Sequence, residues 1–262
     1  GMATREEMIK AGVDPVAYLD YDRDWYDSSI RALDAELARL FERLRMAGLG
    51  QKTAVVFLSD HGEEFHDHGR MWHGQSVYGE MMRVPLVVHW AGRLAGGSVV
   101  DETVQLVDVM PTLLDLSRLP QPDGVQGQSL LSLLTRPDAT DGDDPSGSWR
   151  RRPAILEKQP MGMPGHPAST EAYAIVDGEW KLIHNRVRPP DRPEFELFHA
   201  VRDPLDQKNV AADHPDVVQR LAKAIDGWHA MAVAARLKPD SEEAGNLTPE
   251  QLQRLRSLGY IR

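Results

Sequence analysis

The sequence predicts an α/β fold: part of a mostly parallel sheet with flanking helices, then a small antiparallel α+β subdomain. Three observations carry this reading. An amphipathic stripe over residues 22–47 gives way, after Gly48, to the short apolar run Thr53-Ala-Val-Val-Phe-Leu58. A second apolar run, Val84-Pro-Leu-Val-Val-His-Trp90, follows. Further on, alternating segments flank Asp177-Gly178, a strong short-range signal for a β-hairpin.

Each element has its own local reason. Tyr26, Ile30, Leu33, Leu37, Leu40 and Leu44 recur at steps of three and four, which places them on one helical face. Gly48 supplies the stop. Residues 53–58 are short, continuously apolar and rich in β-branched side chains, as expected of a strand buried on both faces in a parallel sheet. Residues 84–90 read the same way, with Pro85 tolerable near a strand start. Asp108 is placed to cap a helix over 109–117, with Pro111 in its first turn. Ala172–Val176, Trp180–Ile183 and Phe195–Phe198 read as three strands of an antiparallel sheet. A helix over 214–236 shows Val217, Leu221, Ile225 and Trp228 on one face. A last short helix begins at the Thr248-Pro249 cap and ends by Gly259. The expected division is an α/β part over 1–136, a Gly-, Pro- and Asp-rich loop or linker over 137–152, a sheet-plus-helix part over 153–236, and a tail over 237–262.

Composition narrows the function. The chain has 262 residues, with 30 Lys and Arg against 40 Asp and Glu, a formal charge of −10. An acidic surface argues against broad nucleic-acid binding, so any anion site must be made locally. With no cysteine there is no disulfide, thiolate metal site or cysteine nucleophile. No apolar run reaches the roughly 18–20 residues of a membrane span. The N-terminus, GMATREEMIK, lacks the basic-then-apolar layout of a signal peptide, and Gly1 ahead of Met2 reads as a cut edge or an added residue.

The chemistry concentrates in one place. The apolar run to Leu58 meets Ser59-Asp60-His61-Gly62, and His66, His68 and His73 follow within twelve residues of His61. Ligands in parallel α/β sheets bind beyond the carboxyl ends of strands, where Asp60 and His61 stand. A carboxylate offers a hard oxygen and an imidazole a borderline nitrogen, a pairing that suits a divalent cation. Gly62 lets the backbone turn so that both can face one point. Two adjacent residues do not complete a coordination sphere, so the remaining ligands must come from elsewhere. The plainer alternative is a polar loop with a capping aspartate and surface histidines, and exposure is the simpler reading of His66 and of Lys181.

The ordered motifs resemble the sulfatase family of the alkaline phosphatase superfamily. Ser59-Asp60-His61-Gly62-Glu63, Asp67-His68-Gly69, Trp72-His73-Gly74 and Tyr78-Gly-Glu-Met-Met-Arg83 are similar to the family's second metal-binding segment. The likeness continues through Asp108–Asp115, Gly124–Leu130, Gly178–Ile183, Glu196-Leu-Phe198, Asp203-Pro204 and Leu255–Tyr260. It implies an alkaline-phosphatase-like sheet, a sulfuric ester hydrolase activity, and Asp60 and His61 as two metal ligands. The implied ion is Ca²⁺ or Mg²⁺ first, with Mn²⁺ or Zn²⁺ as alternatives because the second ligand is histidine. His73 matches a catalytic position that contacts the transferring sulfate, and His68 a second substrate-side histidine. The implied substrate is a sulfate-ester small molecule or glycan, and family members are often exported to the periplasm.

One departure qualifies this. The family's nucleophile stands in a Cys/Ser-x-Pro-x-Arg motif, its cysteine oxidised to formylglycine. None of the 18 prolines here has Ser or Cys two residues before it; Thr135 is the one hydroxyl so placed, and Ala139 stands where Arg belongs. The chain therefore resembles roughly the C-terminal half of a sulfatase, without the nucleophile-bearing half, and is expected to be inactive alone. The alternatives are a phosphodiesterase, phosphonate monoesterase or phosphoryl transferase of the same superfamily, whose tetrahedral substrates (phosphate or phosphonate esters) carry similar charge, or a non-catalytic metal- or anion-binding module.

Overall fold

The structure, a computed structural model, describes residues 5–135, 149–158, 170–188, 190, 192–236 and 248–257. Helix α1 (Arg5–Lys10) leads into the long α2 (Pro15–Met46). The apolar stripe places the start of α2 at 22, but the helix begins at Pro15 because the Asp14 side chain accepts from Val16 N and proline occupies N1. Gly48 closes it with φ +67°. Tyr26, Ile30, Leu33 and Leu40 on its stripe are 41–51% exposed.

Strand β1 (Val55–Leu58) is followed by the hairpin β2 (Glu64–Phe65) and β3 (Met71–Trp72), the single turn α3 (Gly79–Met82) and β4 (Leu86–His89). Here the expected parallel sheet is corrected. β1 and β4 pair antiparallel, Val55 opposite His89 and Leu58 opposite Leu86. A parallel return needs a crossover that carries the chain back to the strand's starting end, usually by a helix of several turns. The segment between these strands spends its length on a hairpin and one helical turn, so β4 starts where β1 stops. Neither strand is buried on both faces: Phe57, Leu58 and Val87 are 37, 38 and 53% exposed.

A 3₁₀ turn over Leu106–Asp108 leads to α4 (Val109–Leu116), and α5 (Leu131–Thr135) follows. Asp108 stands at the N-cap position of α4, but its side chain makes no capping hydrogen bond to that helix. Its buried carboxylate closes a capping box on the 3₁₀ turn with Gln105, accepts from Gln128 N at 2.7 Å, and pairs with Arg152. Of the expected loop over 137–152, residues 149–152 are described and the rest lies outside the described residues, as does the expected helix end at Gly259.

Strands β5 (Ala154–Lys158), β6 (Glu171–Asp177), β7 (Trp180–Val187) and β8 (Phe195–His199) form an antiparallel sheet in the order β5-β6-β7-β8. The β6–β7 turn has two residues, and its first, Gly178, takes φ +60°, as Gly does in a tight hairpin. Ala172, Ala174, Ile183 and Phe198 share one face and cluster with Val77 and Tyr78, which ties the segment after β3 to the sheet. Helix α6 (Pro215–Ala234) buries Leu221 and Ile225 and is anchored at its start by Arg220–Asp177 at 2.6 Å. The chain divides into two compact units, Gly1–Ile225 and Asp226–Arg262. The second holds the end of α6 and α7 (Pro249–Ser257), where Gln251 N donates to Thr248 Oγ1 and Gln251 Oε1 accepts from Thr248 N.

Candidate functional site

The loop after β1 is built by short-range hydrogen bonds. Ser59 Oγ donates to His61 O at 2.6 Å, and His61 N donates to Asp60 Oδ1 at 3.1 Å. His61 Nδ1 lies 2.8 Å from Gly62 O. A carbonyl only accepts, so Nδ1 carries a proton, and in the neutral ring Nε2 keeps its lone pair. That nitrogen stands 3.8 Å from Asp60 Oδ1, and both side chains reach solvent. A backbone carbonyl on the far nitrogen is the usual partner of a metal-ligating histidine.

Gly62 is required here by close approach. A β-carbon at this position would lie 1.8 Å from the Glu80 carbonyl oxygen, and Gly62 N donates to Met81 O at 2.7 Å. The loop is therefore pressed against α3, backbone on backbone.

His73 joins the same cluster. Its ring stacks on that of His61 with centroids 4.5 Å apart, and its Nδ1 lies 3.3 Å from Glu63 Oε2. Trp72 at φ +69° and Gly74 at φ +80° flank it, a double left-handed bend that carries His73 out of the hairpin. Its side chain is 55% exposed.

His68 is not brought to this cluster. Nδ1 meets Glu80 Oε1 at 2.6 Å, Nε2 meets the Asp206 carbonyl at 2.9 Å, and the ring stacks on Tyr78 at 3.6 Å. With both nitrogens engaged inside the protein, the ring has none left for a substrate. His66 is not plainly exposed either; its Nε2 is buried, at a residue with φ +65°.

Lys181 is the clearest correction. It is buried, donating to Val77 O at 2.7 Å and forming an ion pair with Asp206, whose side chain is 1% exposed. Burial lowers the Lys181 value, which the Asp206 charge opposes; burial likewise raises that of Asp206 against the pull of Lys181. Beside them, burial and then the neighbouring Glu80 charge raise the Glu64 carboxyl. On the sheet side Tyr78 donates to Glu196 Oε2 at 2.8 Å, and Asn185 Nδ2 donates to Glu196 Oε1 at 2.7 Å. Sequence reasoning missed Glu63, Glu80 and Asp206. The parity of β7 held a signal for Lys181, which shares a face with Ile183.

The donor set fits a divalent cation. One carboxylate oxygen and one imidazole lone pair lie 3.8 Å apart, and metal–ligand bonds of about 2.0–2.4 Å from each can meet on one ion. Among the described residues no group of three or more His, Asp or Glu side chains forms a complete metal site.

The sulfatase family profile matches residues 4–119, and the profile of the C-terminal region of N-sulphoglucosamine sulphohydrolase matches residues 67–230. Arylsulfatase K of Danio rerio is 32% identical over 203 residues, covering 78% of this chain and 36% of that protein. Among solved structures, BT4656 in complex with its substrate D-glucosamine-2-N,6-O-disulfate superposes with a TM-score of 0.63 at 24% identity, over 81% of this chain and 41% of that one. The phosphonate monoester hydrolase SpPMH from Silicibacter pomeroyi superposes with a TM-score of 0.58 at 26% identity, over 78% and 39%. The chain spans a little over a third of the length of that arylsulfatase. With these matches running in sequence order through the histidine-rich loop and the antiparallel sheet, the chain belongs to the sulfatase family.

Proposed function

We propose that this chain supplies the later metal- and oxyanion-contacting wall of a metal-dependent sulfatase that hydrolyses sulfate esters of small molecules or glycans. The observation that carries the reading is the convergence of Asp60 Oδ1 and His61 Nε2 to 3.8 Å with His73 stacked on His61. Asp60 and His61 would hold a divalent ion, Ca²⁺ or Mg²⁺ first and Mn²⁺ or Zn²⁺ otherwise. Such an ion supplies Lewis-acid stabilisation of charge on an ester oxygen. His73, held through Nδ1 by Glu63 and stacked on His61, would act beside the same ion, its protonated ring donating to a developing oxyanion. His68 has no part in substrate contact in this reading.

A second reading has its own support. The 26% identity to a phosphonate monoester hydrolase favours phosphate or phosphonate esters, which present a similar tetrahedral anion. The test is an assay of the purified chain against aryl sulfate, aryl phosphate and aryl phosphonate esters, with Ca²⁺, Mg²⁺, Mn²⁺ and Zn²⁺ in turn, beside a full-length sulfatase carrying this segment. The reading expects no turnover by the chain alone, and sulfate-selective turnover by the full-length enzyme that Asp60→Ala abolishes. Phosphonate-selective turnover favours the second reading, and Asp60-independent turnover refutes both.

A further inference from the structure

We propose that His68 is an imidazolium that clamps the tip of the β2–β3 hairpin to the loop after β8 and thereby positions His73. The chemistry of its two partners points to the charge. The Asp206 carbonyl at 2.9 Å can only accept, so Nε2 carries a proton. Glu80 Oε1 at 2.6 Å accepts from Nδ1 when the carboxylate is ionised, so the other nitrogen carries one too. Both side chains are largely buried, 14 and 9% exposed. The ring lies over the face of Tyr78 with planes 12° from parallel, where a cation is attracted to the aromatic face.

The surroundings agree with a cation here. Glu80 approaches from α3, Glu64 from β2, and the Lys181–Asp206 pair joins β7 to the loop after β8. Among the described residues the second Glu80 oxygen is buried without a hydrogen-bond partner, so His68 is the group that hydrogen-bonds this carboxylate, with the Lys181 charge also near it. Burial acts against charge on His68. The hydrogen bonds to Glu80 and the Asp206 carbonyl, with the fields of Glu80 and Glu64, outweigh it and raise the ring above its ordinary value.

The clamp sits where it can act on the site. His68 lies in the tip 66–70, which His66 N closes by donating to Arg70 O at 2.7 Å, and His73 follows directly after β3. Fixing the tip therefore fixes the strand that delivers His73. The positioning role rests on the reading of His73 given above; the charge of His68 does not.

The test is two-bond ¹H–¹⁵N spectroscopy of the histidine rings in the labelled full chain from pH 6 to 9, with hydrogen exchange in parallel. The His68 midpoint should lie above the ordinary histidine value, with both nitrogens carrying protons below that midpoint. Glu80→Gln should lower its midpoint by about one unit or more. It should also raise exchange several-fold across residues 64–73 relative to β6–β8. If Glu80→Gln does not fold, the comparison is made in the wild type on either side of the His68 midpoint, corrected for intrinsic exchange. A midpoint at or below the ordinary histidine value overturns the charge assignment. Unchanged hairpin exchange with a neutral ring, or an equal rise through β6–β8, overturns the positioning role. None of these readouts needs metal or turnover, so they fail or succeed separately from the proposed hydrolysis.

Discussion

The imidazole of His73 lies over that of His61, ring centroids 4.5 Å apart and planes 26° from parallel. Two elements are joined by that contact: the loop leaving β1, which carries Asp60 and His61, and the hairpin, which delivers His73. In the proposed function the stack would set the metal-side nitrogen of His61 and the oxyanion-side ring of His73 on a single wall.

If His73 works at that oxyanion, its removal should act on rate. In a full-length sulfatase carrying this segment, His73→Ala is expected to lower kcat by about 10²–10⁴, the range for lost acid–base help. Steady-state kinetics on an aryl sulfate checks it, and an unchanged kcat leaves His73 with the stacking role alone.

Two glycines of the same region separate crowding from backbone freedom. A methyl at position 62 meets the Glu80 carbonyl at 1.8 Å, whereas position 69, at φ +78°, has open space around it. Gly69→Ala should cost about 1–2 kcal/mol from the left-handed backbone. Gly62→Ala should cost more than Gly69→Ala, at or above the upper end of the roughly 1–3 kcal/mol typical of overpacking, since backbone must move. Urea unfolding of both variants gives the comparison; equal or inverted losses contradict the docking of the loop on α3.

Much of this was legible in the sequence because local chemistry dictated it. The Asp177-Gly178 hairpin, the Thr248-Pro249 cap and the placement of Asp60 and His61 just after a strand each depend on a few adjacent residues. Strand direction was not legible: an apolar run such as Thr53–Leu58 reports burial, not which way its neighbour runs. The antiparallel return to Leu86–His89 followed from what the intervening residues fold into. The pairings of His68 and Lys181 were not legible because their partners, Glu80 and Asp206, are distant along the chain from one or both of them, and spacing carries no trace of such contacts. The stripe on α2 was read correctly as a helix face, yet Ile30 and Leu33 on it are about half exposed, which periodicity cannot foretell.

The buried pair Lys181–Asp206 is side-chain exposed by only 6 and 1%. Removing one partner strands the other charge, so Lys181→Met should destabilise the chain by about 3–5 kcal/mol. The double variant Lys181→Met, Asp206→Leu should recover part of that loss. Additive losses in the double-mutant cycle would show that the two groups are not coupled.

The elevated value of His68 fixes a direction with pH. Its protonated form is favoured in the folded state, so the stability it adds is complete below the ordinary histidine value of about 6.5 and is lost as pH rises through the higher folded value. The raised Glu64 carboxyl acts in the same sense, favouring the fold as pH falls. Lys158, whose value burial lowers to about 8, and Lys181, also lowered by burial, act in the opposite sense. The readout is therefore a difference: the unfolding free energy of the wild type should fall relative to that of His68→Gln from pH 6 to pH 9. An equal pH dependence in both proteins contradicts the assignment.

The central claim is that Asp60 and His61 hold a divalent ion beside His73. Paramagnetic Mn²⁺ titrated into the labelled chain tests it most directly, because broadening of a ring signal reports proximity to the ion. The account predicts that His61 broadens first, His73 next, and His68, His184 and His214 only at much higher concentration, with the selectivity lost in Asp60→Ala. Broadening that spares His61, or that persists unchanged in Asp60→Ala, would contradict it.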